Sequence, residues 1–425
     1  MLLCYYNSIV TLYRDELQEL KAMKRFDLIT PEGTKDLLFE DCVIRNSVEK
    51  KISDIFKSKG YCEIKTPGIE FFDVFNLRSR YFPQESMYKL VDNKGRLLVV
   101  RPDSTMPIAR VAATRLREAK LPLRMFYNQN VYRSKSSMRG RSDEIKQMGI
   151  ELIGSDSKRA DLEVITTAIE VLSSCDNDKF RLELGNIGLF RKLVEKLPVT
   201  EETREEIRSL IEVKNYPALN DLLDSIGDTE VTNALKQLPR LFGGVEVFDK
   251  AAELMNDSEI DKILAELKAL YNDLLTLGYD GKITVDLGIV NKMHYYTGVV
   301  VKGYLEGYGD AVLSGGRYNH LLAEFGYDVP ATGFAINVDA VSTVLKRKGT
   351  AKVPAADVIV FAEDGYEING LKLVSKLGAE GNIALNSVFD TLEETKNYAR
   401  EYGIKKVICV SDTITEITVE DSENE

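Results

Sequence analysis

The sequence predicts an α+β protein: an antiparallel sheet flanked by helices, interrupted by a helical insertion and followed by a small C-terminal α/β domain. Three observations predict it. Apolar runs at 96–101, 124–133, 144–154, 282–317 and 333–346 follow one another with hairpin-like spacing, the pattern of consecutive antiparallel strands. Residues 186–277 are rich in Leu, Lys and Glu at helical spacing and carry few strand signals. After a linker, RKGTAKVPAAD (347–357), the pattern changes to strand–helix–strand–helix–strand.

Taken in order, residues 1–22 read as an N-terminal extension or docking helix ahead of a core domain at 23–346. Residues 1–13 are uncharged and apolar, but they lack a basic start and a small-residue cleavage site and are too short to span a bilayer. Residues 41–58 carry Ile44, Val48, Ile52, Ile55 and Phe56 at helical spacing, and Gly60 stands where that helix would stop. RLLVVR (96–101) reads as a buried strand. The runs 124–133 and 144–154 read as two strands around a polar, glycine-bearing loop. The helix 158–173 places Val164, Ala168 and Leu172 on one face, with Ser157 as its cap. Beyond the insertion, 282–317 returns to β character and 333–346 reads as a strand running into a helix. The C-terminal domain, 357–419, divides into strand 357–361, helix 367–377, strand 382–386, helix 391–401 and strand 405–410. The acidic tail EDSENE (420–425) is expected to be disordered.

At 425 residues, 44% hydrophobic and 29% charged, the chain has the composition of a soluble globular protein of two to three domains. A net charge of −11 argues against nonspecific nucleic-acid binding and against an anionic membrane surface. Five scattered cysteines (Cys4, Cys42, Cys62, Cys175, Cys409) form no CxxC pair and point to a reduced, cytoplasmic chain. With only His294 and His320 and no HExxH, no metal site is expected. The phosphate-loop, dinucleotide and nucleophile-elbow motifs are all missing, so no cofactor is expected.

What stands out is polar residues in runs that otherwise look buried. Asp103 and Thr105 directly follow an apolar strand. Gln147 and Glu151, four apart, share one face of a strand. Buried, they need partners or a ligand; a hydrogen-bonded core network would serve as well. Tyr295 and Tyr296 would put a phenol on each side of a strand, one closing a pocket and one packing the core. Gly315 and Gly316 suit close approach of a ligand to the backbone, or a bulge. Arg133, Lys135, Arg139 and Arg141 form a cationic cluster fit for a phosphate or carboxylate, or a solvated hairpin loop. Together these residues suit a small ligand with an amine and a ring nitrogen, such as an amino acid.

The order of motifs then resembles the histidyl-tRNA synthetases over roughly residues 24–345: TPEGTKDLL (30–38), GYCEIKTPGIE (60–70), RPDSTMPIAR (101–110), YRSKSSMRGRSDEIKQMGIELIG (132–154), HYYTG (294–298), SGGRY (314–318) and PATGFAINVDAV (330–341). The resemblance implies the class II aminoacyl-tRNA synthetase fold and a homodimer built through the first motif. It implies a histidine site made of Asp103, Thr105, Gln147, Glu151, Tyr295 and Tyr296, with Asp103 and Thr105 on the substrate amine. The departures fall on the nucleotide side. The motif positions of the acid, the second arginine, the adenine-stacking ring and the third-motif arginine hold Lys135, Asp143, Ile145 and Ala340, and the histidine-segment arginine is Asn291. Losing one positioned donor typically costs about 2.7–4 kcal/mol of transition-state stabilisation, so ATP activation should be lost.

A chain that keeps the amino-acid site and loses the ATP site is similar to the regulatory subunits of ATP phosphoribosyltransferase, synthetase paralogues of histidine biosynthesis. Residues 294–317 and 337–341 carry that likeness most closely. It implies a non-catalytic subunit that joins the short-form catalytic subunit in a hetero-octamer, binds free histidine and carries feedback, with no tRNA and no membrane partner. An active histidyl-tRNA synthetase and a stand-alone histidine-binding module are the competing readings.

Overall fold

A computed structural model describes residues 28–77, 83–134, 142–176, 179–255, 257–290, 295–349 and 353–419. The expected extension 1–22, the acidic tail 420–425, and Lys135, Arg139, Arg141, Asn291 and His294 lie outside the described residues. The chain forms two compact units, dividing between residues 350 and 351.

The first unit is built on a nine-stranded sheet. In chain order its strands and those of a smaller sheet are β1 (Cys62–Glu63), β2 (Ile69–Phe71), β3 (Lys89–Val91), β4 (Leu97–Val100), β5 (Leu123–Tyr132), β6 (Glu144–Ile153), β7 (Phe180–Asn186), β8 (Phe242–Gly243), β9 (Ile283–Asp286), β10 (Val299–Leu305), β11 (Leu313–Arg317) and β12 (Ala331–Asn337). The large sheet runs β1-β5-β6-β12-β11-β10-β7-β9-β8, while β2-β4-β3 form a separate antiparallel sheet. The expectation of an antiparallel sheet holds for most pairs of the large sheet. The exceptions are β1 with β5 and β7 with β9, which run parallel. The second follows from the insertion: parallel neighbours need a crossover, and the helices between Ile187 and Thr276 supply it.

One face of the sheet is packed by three helices. Phe39–Ser58 buries Ile44, Val48, Ile52 and Phe56, a single stripe at i, i+4, i+8 and i+12. Gly60, at φ +79, takes the left-handed turn that ends it. The helices Lys158–Asp176 and Val338–Arg347 lie beside it. Ser157 caps the former, its Oγ accepting from the Arg159 N–H at 3.2 Å. Phe56 meets Phe126 and Phe334 with ring centroids 5.6 and 5.9 Å apart, so the large side chains of β5 and β12 share this face.

The opposite face carries the small residues. β6 pairs with β12 so that Glu151 faces Gly333 and Gly149 faces Ala335. β12 in turn pairs with β11, setting Gly333 against Gly316 and Ala335 against Ser314. Register therefore places Gly149, Gly316, Gly333, Ser314 and Ala335 around Glu151 and Gln147, and a trough opens where larger side chains would have filled the sheet.

The insertion consists of the helices Ile187–Glu195, Glu201–Glu212, Tyr216–Ile226, Glu230–Gln237, Glu246–Leu254 and Ser258–Thr276. Thr200, Asn215, Thr229 and Asp257 each cap the helix that follows with a side-chain oxygen. The second unit has the sheet order β14 (Ala384–Asn386), β13 (Val358–Ala362), β15 (Lys406–Val410), β16 (Ile414–Thr418), with helices Glu367–Ala379 and Leu392–Glu401. The first three strands are parallel; β16, which the sequence pattern did not reveal, turns back antiparallel on β15.

Candidate functional site

Glu151 is the centre of the trough and is 2% exposed. Thr105 Oγ1 donates to its Oε1 at 2.7 Å, and the hydroxyl of Tyr318 donates to Oε2. Thr105 opens the helix Thr105–Ala113, and the loop before that helix is pinned by Arg101. The Arg101 guanidinium donates to the carbonyls of Asn130 (2.7 Å), Thr66 (2.8 Å) and Pro67 (3.1 Å). Burial pushes the Glu151 carboxyl up to about 8; the hydrogen bonds from Tyr318 and Thr105 oppose the shift, and the nearby Asp103 carboxyl adds to it. At neutral pH this carboxyl holds its proton most of the time.

Tyr295, Tyr296 and Tyr318 close the pocket as one aromatic cluster. The centroid separations are 4.8 Å between Tyr295 and Tyr296, 5.6 Å between Tyr295 and Tyr318, and 6.5 Å between Tyr296 and Tyr318. This corrects the reading of Tyr295 and Tyr296 as residues on opposite sides of a strand. They precede β10 in a non-strand segment, and both line the same cavity. Arg191, from the helix Ile187–Glu195, holds that segment by donating to the Tyr296 carbonyl at 2.8 Å. Thr297 Oγ1 accepts from the Asn319 N–H at 3.0 Å, tying it to the stretch that carries Tyr318.

The cavity inside this cluster is about 40 Å³ and is lined by Thr105, Gln147, Glu151 and the three tyrosines, with Arg133 at its edge. A larger cavity of about 700 Å³ shares Arg133, Gln147, Ser314 and Ala335 in its wall. Gln147 stands at this junction, and its buried Oε1 has no hydrogen-bond partner among the described residues. An unmade bond of that kind costs about 1–3 kcal/mol, so the amide oxygen is set for a donor from outside the chain.

Among the described residues, those singled out from the sequence thus converge, with one exception. Thr105, Gln147, Glu151, Tyr295 and Tyr296 line the small cavity. Asp103, 3% exposed, stands behind it. One oxygen of Asp103 accepts from the Met106 N–H at 3.1 Å, capping the helix, and the other lies 3.8 Å from Arg133 Nη2. Arg133 also donates to the Pro102 carbonyl at 2.7 Å, which aims its guanidinium along the shared wall. Gly315 and Gly316 are explained by packing rather than by a ligand. A Cβ on Gly315 would lie 2.4 Å from the Gly333 carbonyl, and one on Gly316 2.4 Å from the Val299 carbonyl. The motif SGGRY contains Tyr318, but its role at Glu151 emerges only from the structure. Arg317 is structural, its Nε 3.0 Å from both carboxylate oxygens of Asp161.

The larger cavity differs in character. Among the described residues Lys35 and Arg133 are its cations and Glu144, Asp310 and Asp339 its acids, and Ile145 and Ala340 lie in its wall. Asp339 is paired with Arg45 and accepts from the Lys146 N–H at 2.7 Å. Asp143 accepts from the Tyr88 hydroxyl.

Fold and pocket together define a histidyl-tRNA synthetase-like protein of the class II type, and a family model for histidyl-tRNA synthetase matches residues 33–341. A histidyl-tRNA synthetase from a Nostoc species superimposes with a TM-score of 0.74 over 92% of this chain and 97% of its own, at 21% identity, a likeness of fold. Within that class, the chain belongs to the family of ATP phosphoribosyltransferase regulatory subunits. It is 41% identical to the regulatory subunit of Clostridium acetobutylicum, over 89% of this chain and 94% of that one. It is 37% identical to that of Bacillus mycoides, over 91% and 92%. A crystal structure from Bacillus halodurans described as an ATP phosphoribosyltransferase regulatory subunit/histidyl-tRNA synthetase superimposes with a TM-score of 0.79, 28% identity and coverage of 91% and 99%.

Proposed function

We propose that this regulatory subunit binds free histidine at the closed end of the trough and has no adenylating activity of its own. The observation that carries the reading is the contrast between the two joined cavities. The inner one keeps a carboxyl, a hydroxyl, an unpartnered amide oxygen and phenols, a set suited to an imidazole and an amine. Among the described residues the outer one sets three acids against two cations, and it has Ile145 and Ala340 where the synthetase resemblance places a stacking ring and an arginine. A triphosphate needs the opposite balance.

In this reading Glu151 accepts from a ring N–H and Gln147 from the α-amine. Thr105 and Asp103 support the amine end, Arg133 faces the carboxylate, and Tyr295 and Tyr296 cover the ring. At roughly 10–15 Å³ per water the inner cavity has room for about three waters, less than an imidazole, so binding moves the tyrosine cluster outward. The chain has no tryptophan, and tyrosine fluorescence would report that movement directly. The subunit acts in the cytoplasm with a short-form catalytic subunit, in a hetero-octamer assembled around its own homodimer, and does not charge tRNA. No described helix is long and apolar enough to cross a membrane.

Two measurements test it. Histidine-dependent pyrophosphate exchange with ATP should stay at the no-protein blank, and clear exchange would establish a synthetase instead. Isothermal titration should show histidine binding that Glu151→Ala weakens by about one to two powers of ten, since removing one partner of a buried hydrogen bond costs about 1–3 kcal/mol. Equal affinities would move the histidine site elsewhere.

A further inference from the structure

The same sheet face carries a second cavity further along, between β7, β9 and β10 and the first helices of the insertion. Its volume is about 290 Å³, and no part of its wall is shared with the trough around Glu151. Five charged side chains line it: Glu183 on β7, Asp286 on β9, Lys302 on β10, Lys214 from the turn between the helices Glu201–Glu212 and Tyr216–Ile226, and Glu212 at the end of the first of these helices, whose carboxylate is paired with Arg208 at 2.9 Å. Register sets Lys302 directly opposite Glu183. Lys214 adopts φ +58 at the end of its helix, its N–H donating to the Ile211 carbonyl at 3.1 Å.

These charges converge without closing on one another. Among the described residues no carboxylate lies within ion-pair distance of Lys214 or Lys302. Glu183 uses one oxygen, accepting from the Tyr304 hydroxyl at 2.9 Å, and Asp286 uses one, accepting from the Gly288 N–H at 2.9 Å. The second oxygen of each has no hydrogen bond among the described residues. Burial, with Glu183 close by, raises the Asp286 carboxyl to about 6, although Lys302 and Lys214 act on it in the opposite sense. The lysines are thus close enough to be felt by Asp286 and too far to neutralise it. Ile211, Pro239, Phe242 and Ile289 complete the wall with apolar surface.

We propose that this cavity is a second small-molecule site, built for a free α-amino acid with an uncharged side chain. The carboxylate would lie against Lys214 and Lys302, the ammonium against Asp286 and Glu183, and the side chain against the apolar wall. A single zwitterion is the species that supplies both missing counter-charges at once, in a cavity too small for two separate solvated ions and a side chain. The site bridges insertion and sheet, so its occupant adds to the β8–β9 pairing and the Arg191–Tyr296 hydrogen bond that already join them.

The test is titration of the full chain with histidine, leucine and phenylalanine separately, by calorimetry and by ligand-observed NMR, up to about 10 mM. Wild type and Glu151→Ala are compared with Lys302→Met and Asp286→Asn, each checked for native circular dichroism. The proposal expects at least one amino acid to bind wild type and Glu151→Ala alike, and to bind about tenfold or more weakly to both Lys302→Met and Asp286→Asn. Binding that disappears in Glu151→Ala but is untouched by the two cavity variants overturns it and leaves the trough as the sole site. Absence of binding by any of the three in Glu151→Ala overturns it as well. Histidine binding lost only in Glu151→Ala supports the trough, so the two sites succeed or fail separately.

Discussion

Gly333 is the residue on which the seat of Glu151 depends. A Cβ there would lie 2.1 Å from Glu151 Oε2 and 2.3 Å from the Ile150 carbonyl, so even one methyl group displaces the carboxyl that Thr105 and Tyr318 hold. Overpacking of this kind costs about 1–3 kcal/mol. Gly333→Ala is therefore expected to lower the unfolding free energy by that amount in urea and to weaken histidine binding at least as much as Glu151→Ala. Unchanged affinity would show that the carboxyl is not the recognition group. Glu151 also sets a pH dependence of stability. Its folded value, about 8, lies above the ordinary 4.5. Below about 4.5 both states carry the proton; between there and about 8 the unfolded chain releases it while the folded chain keeps it. The folded state then binds more protons, and stability falls as pH rises through that window. Glu151→Gln has nothing to ionise, so its stability relative to wild type should rise steadily from about pH 5 to about pH 8 in denaturant titrations. A pH-independent difference would mean that Glu151 is already ionised in the folded chain.

Among the elements, the three-stranded sheet β2-β4-β3 presents an exposed apolar face, on which the Arg96 guanidinium lies over the Phe71 ring at 4.8 Å from its centroid. Ile69 and Phe71 on β2 and Leu90 on β3 are 51%, 44% and 41% exposed, and register places Val100 and Leu98 of β4 between them. A contiguous apolar patch of this kind marks an interface, and the homodimer is the occupant we propose. Replacing both Ile69 and Phe71 by Asp should convert the dimer to a folded monomer in sedimentation; a wild-type monomer, or a variant still dimeric, would place the interface elsewhere. The elements themselves were largely legible in the sequence. The runs 124–133 and 144–154 became Leu123–Tyr132 and Glu144–Ile153, because ten residues of apolar pattern on a buried strand leave little ambiguity. Ile414–Thr418 escaped because it is an exposed edge strand with almost no buried residue to set a period. Gly333 and Tyr318 escaped for another reason. Their meaning lies in pairing with Glu151 across strands distant in sequence, and no local pattern encodes register. Tyr295 and Tyr296 were found as residues but misplaced, since alternation across a strand applies only where a strand exists.

For the whole molecule, the two units have separate cores. In the second, β13 (VIVFA) is buried on both faces, as a central parallel strand should be. Ile359 and Val407 pack with Ala399 and Ile404 on one side; Val358, Val360, Ile408 and Val410 pack on the other with Leu373 and Leu377. That core draws on residues from 356 to 419, while every residue assigned to the histidine trough lies between 103 and 335 in the first unit. Energetic coupling between distant groups without shared partners is typically within about 0.3–0.5 kcal/mol, roughly a factor of two in affinity. A chain ending at Gly349 is therefore expected to fold, by circular dichroism and a cooperative melt, and to bind histidine within about twofold of the full chain. Its Glu151→Ala derivative should lose binding as the full-length variant does. A truncated chain that folds normally yet binds tenfold or more weakly would show that the C-terminal unit contributes directly to the trough. Equal binding combined with failure to support the catalytic subunit would assign that unit to assembly.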